Sequence, residues 1–124
     1  MDEFPLIDPA TIRTLRSLNT DGNDDFLREI VALFAADVPA RLAEIDRSFA
    51  EGNAPAFQRA AHSIKGSAAN LGAARVRAVA ERLEIRSQRQ GIAGSEPIIR
   101  ELKDEAALAQ AALERILEAP QDRA

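Results

Sequence analysis

The side chain in this protein best suited to bond covalently with an incoming group is His62, its only histidine. There is no cysteine, which removes thiol nucleophiles, disulfides, cysteine–zinc sites and iron–sulfur clusters. A lone histidine likewise excludes a multi-histidine metal site. At about 100° per residue of α-helix, Gln58, His62, Lys65, Gly66 and Ala69 fall along one stripe, largely opposite Ile64. The imidazole is therefore expected to face solvent. Glycine inside a helix costs about 1 kcal/mol relative to alanine, yet Gly66 stands one turn beyond His62. The bare backbone there lets an approaching partner come close to the ring. Lys65, three residues on, can swing its ammonium toward an anion held on that ring.

The chemistry this arrangement permits is nucleophilic attack by imidazole on phosphorus. An ordinary imidazole titrates near ~6.5, so much of it is neutral and nucleophilic at neutral pH. Lysine beside it favours the neutral ring before transfer and stabilises the phosphoryl oxygens after it. Phosphoryl transfer needs mainly positioning and charge stabilisation. The sequence has no nucleotide-binding glycine loop, since His62-Ser63-Ile64-Lys65-Gly66 on a helix is not a P-loop. Nor does it show an acidic cluster for Mg²⁺. Both the phosphoryl group and the metal would have to come from partners.

Five helices must position these residues. Asp8-Pro9 reads as a cap followed by proline in the first turn, and Ile12, Leu15 and Leu18 form one stripe. Asn19 to Asp24 reads as a polar loop. The second helix runs from about Asp24 to Ala50, with Phe26/Leu27, Ile30, Leu33/Phe34, Val38, Leu42, Ile45 and Phe49 at helical spacing. Pro39 lies inside it and is expected to kink or break it near Ala36–Val38. The third starts at Asn53, carries Pro55 in its first turn and reaches about Ala69, burying Phe57, Ala60/Ala61, Ile64, Ala68 and Leu71. Asn70-Leu71-Gly72 stops it. The fourth covers Ala73 to about Gln90, with Val76, Val79/Ala80 and Leu83 inward, and Gly91 ends it. The fifth, expected to be capped by Ser95, runs to about Glu118 with Ile99, Leu102, Ala106, Ala109, Leu113 and Ile116 in steps of three and four. Connections of about two to six residues between long amphipathic helices imply antiparallel neighbours. The expected fold is all-α, an up-and-down antiparallel four-helix bundle with a short extra N-terminal helix. It forms a single domain over residues 1–124, with short tails at about 1–7 and 119–124.

Composition agrees. Of 124 residues, 46% are hydrophobic and 29% charged, the profile of a globular chain, and 25 alanines with no Trp or Tyr favour helix over strand. The longest apolar run, Ile30 to Ala36, is too short to cross a bilayer. Met1-Asp2-Glu3 is acidic where an export signal needs positive charge, so the cytoplasm is the expected compartment. A net charge of −4 argues against nucleic acid as a partner. Monomer is the default expectation.

Together, His62-Ser63-Ile64-Lys65-Gly66-Ser67-Ala68-Ala69-Asn70-Leu71-Gly72-Ala73 resembles the signature of histidine-containing phosphotransfer (HPt) domains of bacterial two-component phosphorelays. The resemblance extends from Asp8 to Leu117 and includes the proline in the long second helix. It implies that His62 accepts a phosphoryl group from the aspartate of one response-regulator receiver domain and passes it to another. A hybrid histidine kinase is an implied partner. The chain itself would be a carrier without kinase activity or resident cofactor, its Mg²⁺ supplied by the receiver. By position, Lys65 is the implied phosphate-stabilising cation and Gly66 the small residue that admits the receiver. The docking patch is implied to lie around Ala61, Gly66 and Ala69, with Gln58 one turn before His62. Glu84 stands where some members carry a glutamine that bonds the imidazole. Glutamate there would hold the ring's other N–H and favour its charged form, in opposition to Lys65.

Blander readings stand beside these. Ser67 is expected to bond back to helix carbonyls, the usual habit of a mid-helix serine. Arg75, Arg77, Arg82, Arg86 and Arg89 on the fourth helix fit either a solvated face or a basic surface that steers acidic receiver pockets. A docking module that binds receivers without turnover would share the same scaffold. The dimerisation helices of a histidine kinase would carry an acidic residue after the histidine, where this chain has Ser63, and an ATP-binding domain beyond. RNA binding through the arginine-rich helix would need stacking aromatics that this helix lacks.

Overall fold

The protein is described from a computed structural model covering residues 4–19 and 23–119. Residues 1–3 and 120–124 of the expected tails and residues 20–22 of the expected loop lie outside the described residues. Five helices follow in order: α1 (Pro9–Ser17), α2 (Asp25–Glu51), α3 (Ala54–Leu71), α4 (Ala74–Gln90) and α5 (Glu96–Glu118). No strand occurs among the described residues. Helix α3 packs against both α2 and α4, α5 packs against α4 and returns to α2, and α1 lies against α2 and α3.

Periodicity explains the interior. Leu27, Val31, Phe34, Val38 and Ile45 of α2 meet Phe57, Ile64 and Leu71 of α3, Val76 and Leu83 of α4, and Leu102 and Leu113 of α5 in one buried cluster. Ala60, Ala61 and Ala68 are buried on α3, and their small side chains allow neighbouring helices to approach it on two sides. Of the alternatives Leu33/Phe34, Phe34 is buried and Leu33 is 61% exposed. Leu6 and Ile7, in the segment expected to be a tail, are half-buried against the core.

Local chemistry sets the helix ends. The Asp8 carboxylate accepts from the Ala10 N–H at 3.0 Å, and the Asp8 N–H donates to the Gly72 carbonyl at 2.8 Å, fastening the start of α1 to the end of α3. Gly72 has φ +70°, and a Cβ there would lie 2.7 Å from the Thr11 side chain. Both the left-handed backbone and the close approach of α1 therefore require glycine. The Asn53 side chain caps α3 by accepting from the Ala56 N–H.

Of two local expectations, a break at Pro39 and a cap at Ser95, neither occurs, for physical reasons. Pro39 does not break α2, which continues through it. Ala35 and Pro39 are both exposed, so the carbonyl deprived of its partner faces water while Val38 and Ile45 keep the inner face packed. Ser95 is not a capping side chain. It sits in the αR region and is fully buried. Its hydroxyl accepts from Arg86 Nη1 at 3.1 Å, and the same guanidinium also holds the Gly91 and Ala93 carbonyls.

Contacts between helices place them in register. Arg28 reaches the Leu117 carbonyl and Asp46 meets Lys103, so numbering rises along α2 as it falls along α5. Arg82 meets Glu101 and Arg86 meets Ser95, giving the same opposed order for α4 and α5. Arg16 binds Asp24 at 3.0 Å and the Ile116 carbonyl at 3.1 Å, joining α1, the start of α2 and the end of α5.

Candidate functional site

His62 stands in the middle of α3 on the face opposite Ile64. Its side chain is 67% exposed while Ile64 is fully buried. Its Nδ1 lies 3.0 Å from Oε2 of Glu84 on α4. A carboxylate can only accept, so Nδ1 carries the proton. In the neutral ring this leaves the lone pair on Nε2, the nitrogen directed away from α4. The ring is thus held in the tautomer that a nucleophile at Nε2 requires.

The second oxygen of Glu84, Oε1, lies 2.9 Å from Lys65 Nζ. Lys65 therefore rests on the carboxylate, half-buried. Glu84 itself is only 14% exposed. Burial alone pushes its carboxyl up, but the hydrogen bonds from Lys65 and His62, with the ammonium's charge, outweigh burial and hold it below its ordinary value. Glu84 is accordingly an anion at neutral pH with both oxygens engaged. Gln58, Arg59, Ser63 and Gln88 line the shallow groove in which His62 and Glu84 sit.

Gly66 is exposed, and a Cβ built on it would meet no atom within 4 Å. Nothing inside the protein requires glycine there. Ala69 is exposed on the same stripe. Ala61 is not part of this surface: it is completely buried, so the expected docking patch loses that member. At 100° per residue Ala61 lies only about 60° from Ile64, on the core side of α3.

One further expectation is corrected. The Ser67 hydroxyl donates to Asp37 Oδ2 of α2 at 2.8 Å instead of to its own helix. Asp37 in turn meets Arg41 at 3.2 Å, and Arg41 meets Glu44, so Ser67 anchors the histidine helix to α2. Of the two readings left open for the α4 arginines, a solvated face or a basic steering surface, the contacts favour neither outright, because three of the five are engaged within the protein. Arg75 pairs with Glu105, Arg82 makes two bonds to Glu101, and Arg86 holds the loop before α5. Arg77 and Arg89 remain exposed. The sequence reading passed over Arg59 and Gln88, which line the groove. The signals were their spacings, three residues before His62 and four after Glu84.

Residues 29–118 match the Hpt domain family, a span that includes His62, Lys65, Gly66 and Glu84. The chain belongs to the Hpt domain family. Hpt domains are phosphorelay carriers of two-component signal transduction and not enzymes in the usual sense.

Solved structures agree on the fold. Histidine-containing phosphotransfer protein B (HptB) from Pseudomonas aeruginosa PAO1 superimposes with a TM-score of 0.82 at 22% identity, over 92% of this chain and 96% of that one. MtHPt2 of Medicago truncatula gives 0.80 at 26% identity, over 91% and 78%. The HPT domain of a sensor hybrid histidine kinase from Shewanella gives 0.72 at 18%, over 91% and 94%. No curated protein matches the sequence closely enough to count as a relative. Among the described residues, no helix is long and apolar enough to cross a membrane.

Proposed function

We propose that this Hpt domain is a histidine phosphotransfer intermediate. His62 accepts a phosphoryl group from a receiver-domain aspartate and delivers it to the aspartate of another response regulator. The observation that carries the reading is the Nδ1–Glu84 contact of 3.0 Å on a ring two-thirds exposed. In the neutral ring it leaves the lone pair on Nε2, on an exposed side chain and beside backbone bared by Gly66. In the forward step the Nε2 lone pair bonds to phosphorus as the P–O bond to the aspartate carboxylate breaks, and the carboxylate leaves with the electron pair. Transfer onward reverses these events on a second aspartate. Gln58, Gly66 and Ala69 line the approach, Lys65 supplies positive charge to the phosphoryl oxygens, and Glu84 orients the ring. Mg²⁺ arrives with the receiver, because both oxygens of the site's carboxylate are already committed.

The same proposal includes the up-and-down course of four long helices, supported by the opposed numbering of α2 and α5 and of α4 and α5. It also includes a monomer acting in the cytoplasm between a hybrid kinase and its regulators. A chase with a phosphorylated receiver and Mg²⁺, followed by intact mass and nitrogen NMR, tests the function. An acid-labile phosphoryl group on the imidazole that moves to a second receiver is expected, and none in His62→Gln. Receiver binding without label, from several donors, would instead make this a docking module.

A further inference from the structure

A second groove opens on the side of the histidine helix away from Glu84. It lies between α2 and the N-terminal part of α3, encloses about 380 Å³ and is lined by three guanidiniums, those of Arg41, Arg47 and Arg59. That volume falls in the range of small-ligand sites. Ala60 is buried and Ala56 half-buried in its lining, so no long side chain fills the space that the arginines surround. Helices α2 and α3 run antiparallel here. Ser67 meets Asp37 at one end, and the Asn53 N–H donates to the Ser48 carbonyl at the other. Arg59 therefore stands across from the stretch between Arg41 and Arg47, which lie about 9 Å apart along α2.

The three cations differ in what they are free to do. Arg41 is held by Asp37 at 3.2 Å and by Glu44 at 2.9 Å, so it forms a fixed wall. Arg47 and Arg59 have neither an ion pair nor a hydrogen bond among the described residues. Besides Glu44, the only carboxylate in the lining is that of Glu51, which leaves two uncommitted cations against one anion. The first turn of α3 opens here through Asn53 and Ala56 and holds no acidic side chain to offset its positive end. On a chain of net charge −4, the groove is a local reversal of sign. Guanidinium forks match phosphate oxygens two at a time, and cations spread over about 9 Å suit two linked phosphates better than one.

We propose that the groove formed by Arg41, Arg47, Arg59 and Ser63 binds a small molecule bearing linked phosphates, either inorganic pyrophosphate or the diphosphate of a nucleotide. No bond to phosphorus forms or breaks there. Arg47 and Arg59 grip the phosphate oxygens from opposite helices, Arg41 closes one end, and the Ser63 hydroxyl donates from the α3 wall. Arg59 and Ser63 also line the groove of His62, which places the ligand beside the histidine without covering it. No aromatic side chain lines the groove, so a nucleotide base finds no stacking partner there and the phosphates carry the binding.

The test uses the full, unphosphorylated chain with nitrogen-labelled arginine. Pyrophosphate, ADP, inorganic phosphate and sulfate are titrated separately without Mg²⁺ at about 0.15 M salt, where attraction beyond ~8 Å is screened. Proton–nitrogen NMR follows the Nε–H signals of Arg47 and Arg59, and calorimetry gives Kd. Pyrophosphate is expected to saturate one site per chain and to bind about tenfold more tightly than phosphate or sulfate. Arg47→Gln and Arg59→Gln should each weaken it about tenfold. Arg77→Gln, which replaces an exposed arginine of α4, should leave it unchanged. Tighter binding of ADP than of pyrophosphate assigns the ligand to nucleotides, and any other order assigns it to the free anion. Shifts that do not saturate, phosphate binding as tight as pyrophosphate, or an equal loss in Arg77→Gln would overturn the proposal. Arg47 and Arg59 are exposed, so their replacement leaves the core intact. Should either variant not fold, the wild-type titrations alone decide. Nothing is phosphorylated in these measurements, so either result leaves the phosphotransfer role standing.

Discussion

Gly66 offers a substitution whose effects on stability and on function should have opposite signs. It lies inside α3, exposed, and a Cβ placed there has no neighbour within 4 Å. Alanine therefore relieves the helix-interior penalty of glycine, about 1 kcal/mol, with no steric cost to set against it. For a chain of this size, an unfolding entropy of roughly 2.1 cal/mol/K per residue converts that gain into a rise in Tm of about 4 °C. The same Cβ stands on the His62 stripe, where a receiver must approach, and a longer side chain projects further. Gly66→Ala and Gly66→Gln would be compared with the wild type by thermal melting. Labelling by phosphoramidate, which needs little room, and by a phosphorylated receiver would then be measured for each. The expected pattern is higher Tm for Gly66→Ala and nearly unchanged phosphoramidate labelling for both variants. Receiver transfer should fall with side-chain size, by about tenfold or more for glutamine, equivalent to roughly 1.4 kcal/mol. Receiver transfer at the wild-type rate in Gly66→Gln, with its fold intact, would refute the reasoning that glycine is kept for the partner.

Other expectations follow from the helix contacts. Gly72→Ala should destabilise the protein by about 2–4 kcal/mol, because the left-handed backbone and the 2.7 Å approach to Thr11 both oppose a Cβ; chemical denaturation measures it. Ser67→Ala removes the donor to Asp37 and should cost about 1 kcal/mol in the same assay, with phosphoramidate labelling of His62 preserved. Glu84 titrates below its ordinary value of 4.5 when folded. Its contribution to stability is therefore present above that value and lost as pH falls through the lower, folded one. Acid unfolding followed by circular dichroism should show a shallower fall below about pH 4.5 in Glu84→Gln than in the wild type.

Much of this protein is written in local patterns. Apolar residues at steps of three and four mark the buried side of each helix, and the placement of Phe57, Ile64, Leu83, Leu102 and Leu113 in the core follows from them. Helical phase also placed His62 outward and Gly66 beside it, since 3.6 residues per turn is a property of the backbone alone. The same arithmetic put Ala61 on the core side, where it is buried, against its place in the docking patch that the resemblance implied. Pro39 shows the limit of local rules. A lost hydrogen bond weighs against a helix, but apolar packing on both sides of it in α2 outweighs that loss.

What sequence by itself determined is therefore which residues are helical, which side of each helix is buried, and that a histidine, a lysine and a glycine share an exposed stripe. Only the tertiary structure decided the company those residues keep. Glu84 against His62, 22 residues away, was legible only through the family resemblance, and the tertiary structure placed the same carboxylate on Lys65 as well. It linked Ser67 to Asp37 across 30 residues, and it matched Arg75 and Arg82 of α4 to Glu105 and Glu101 of α5. The physical reason is one of range. Helical periodicity arises from hydrogen bonds four residues long and is legible in any short window. The partner of a long polar side chain depends on which helix lies alongside and in what register, and packing of the whole core sets both.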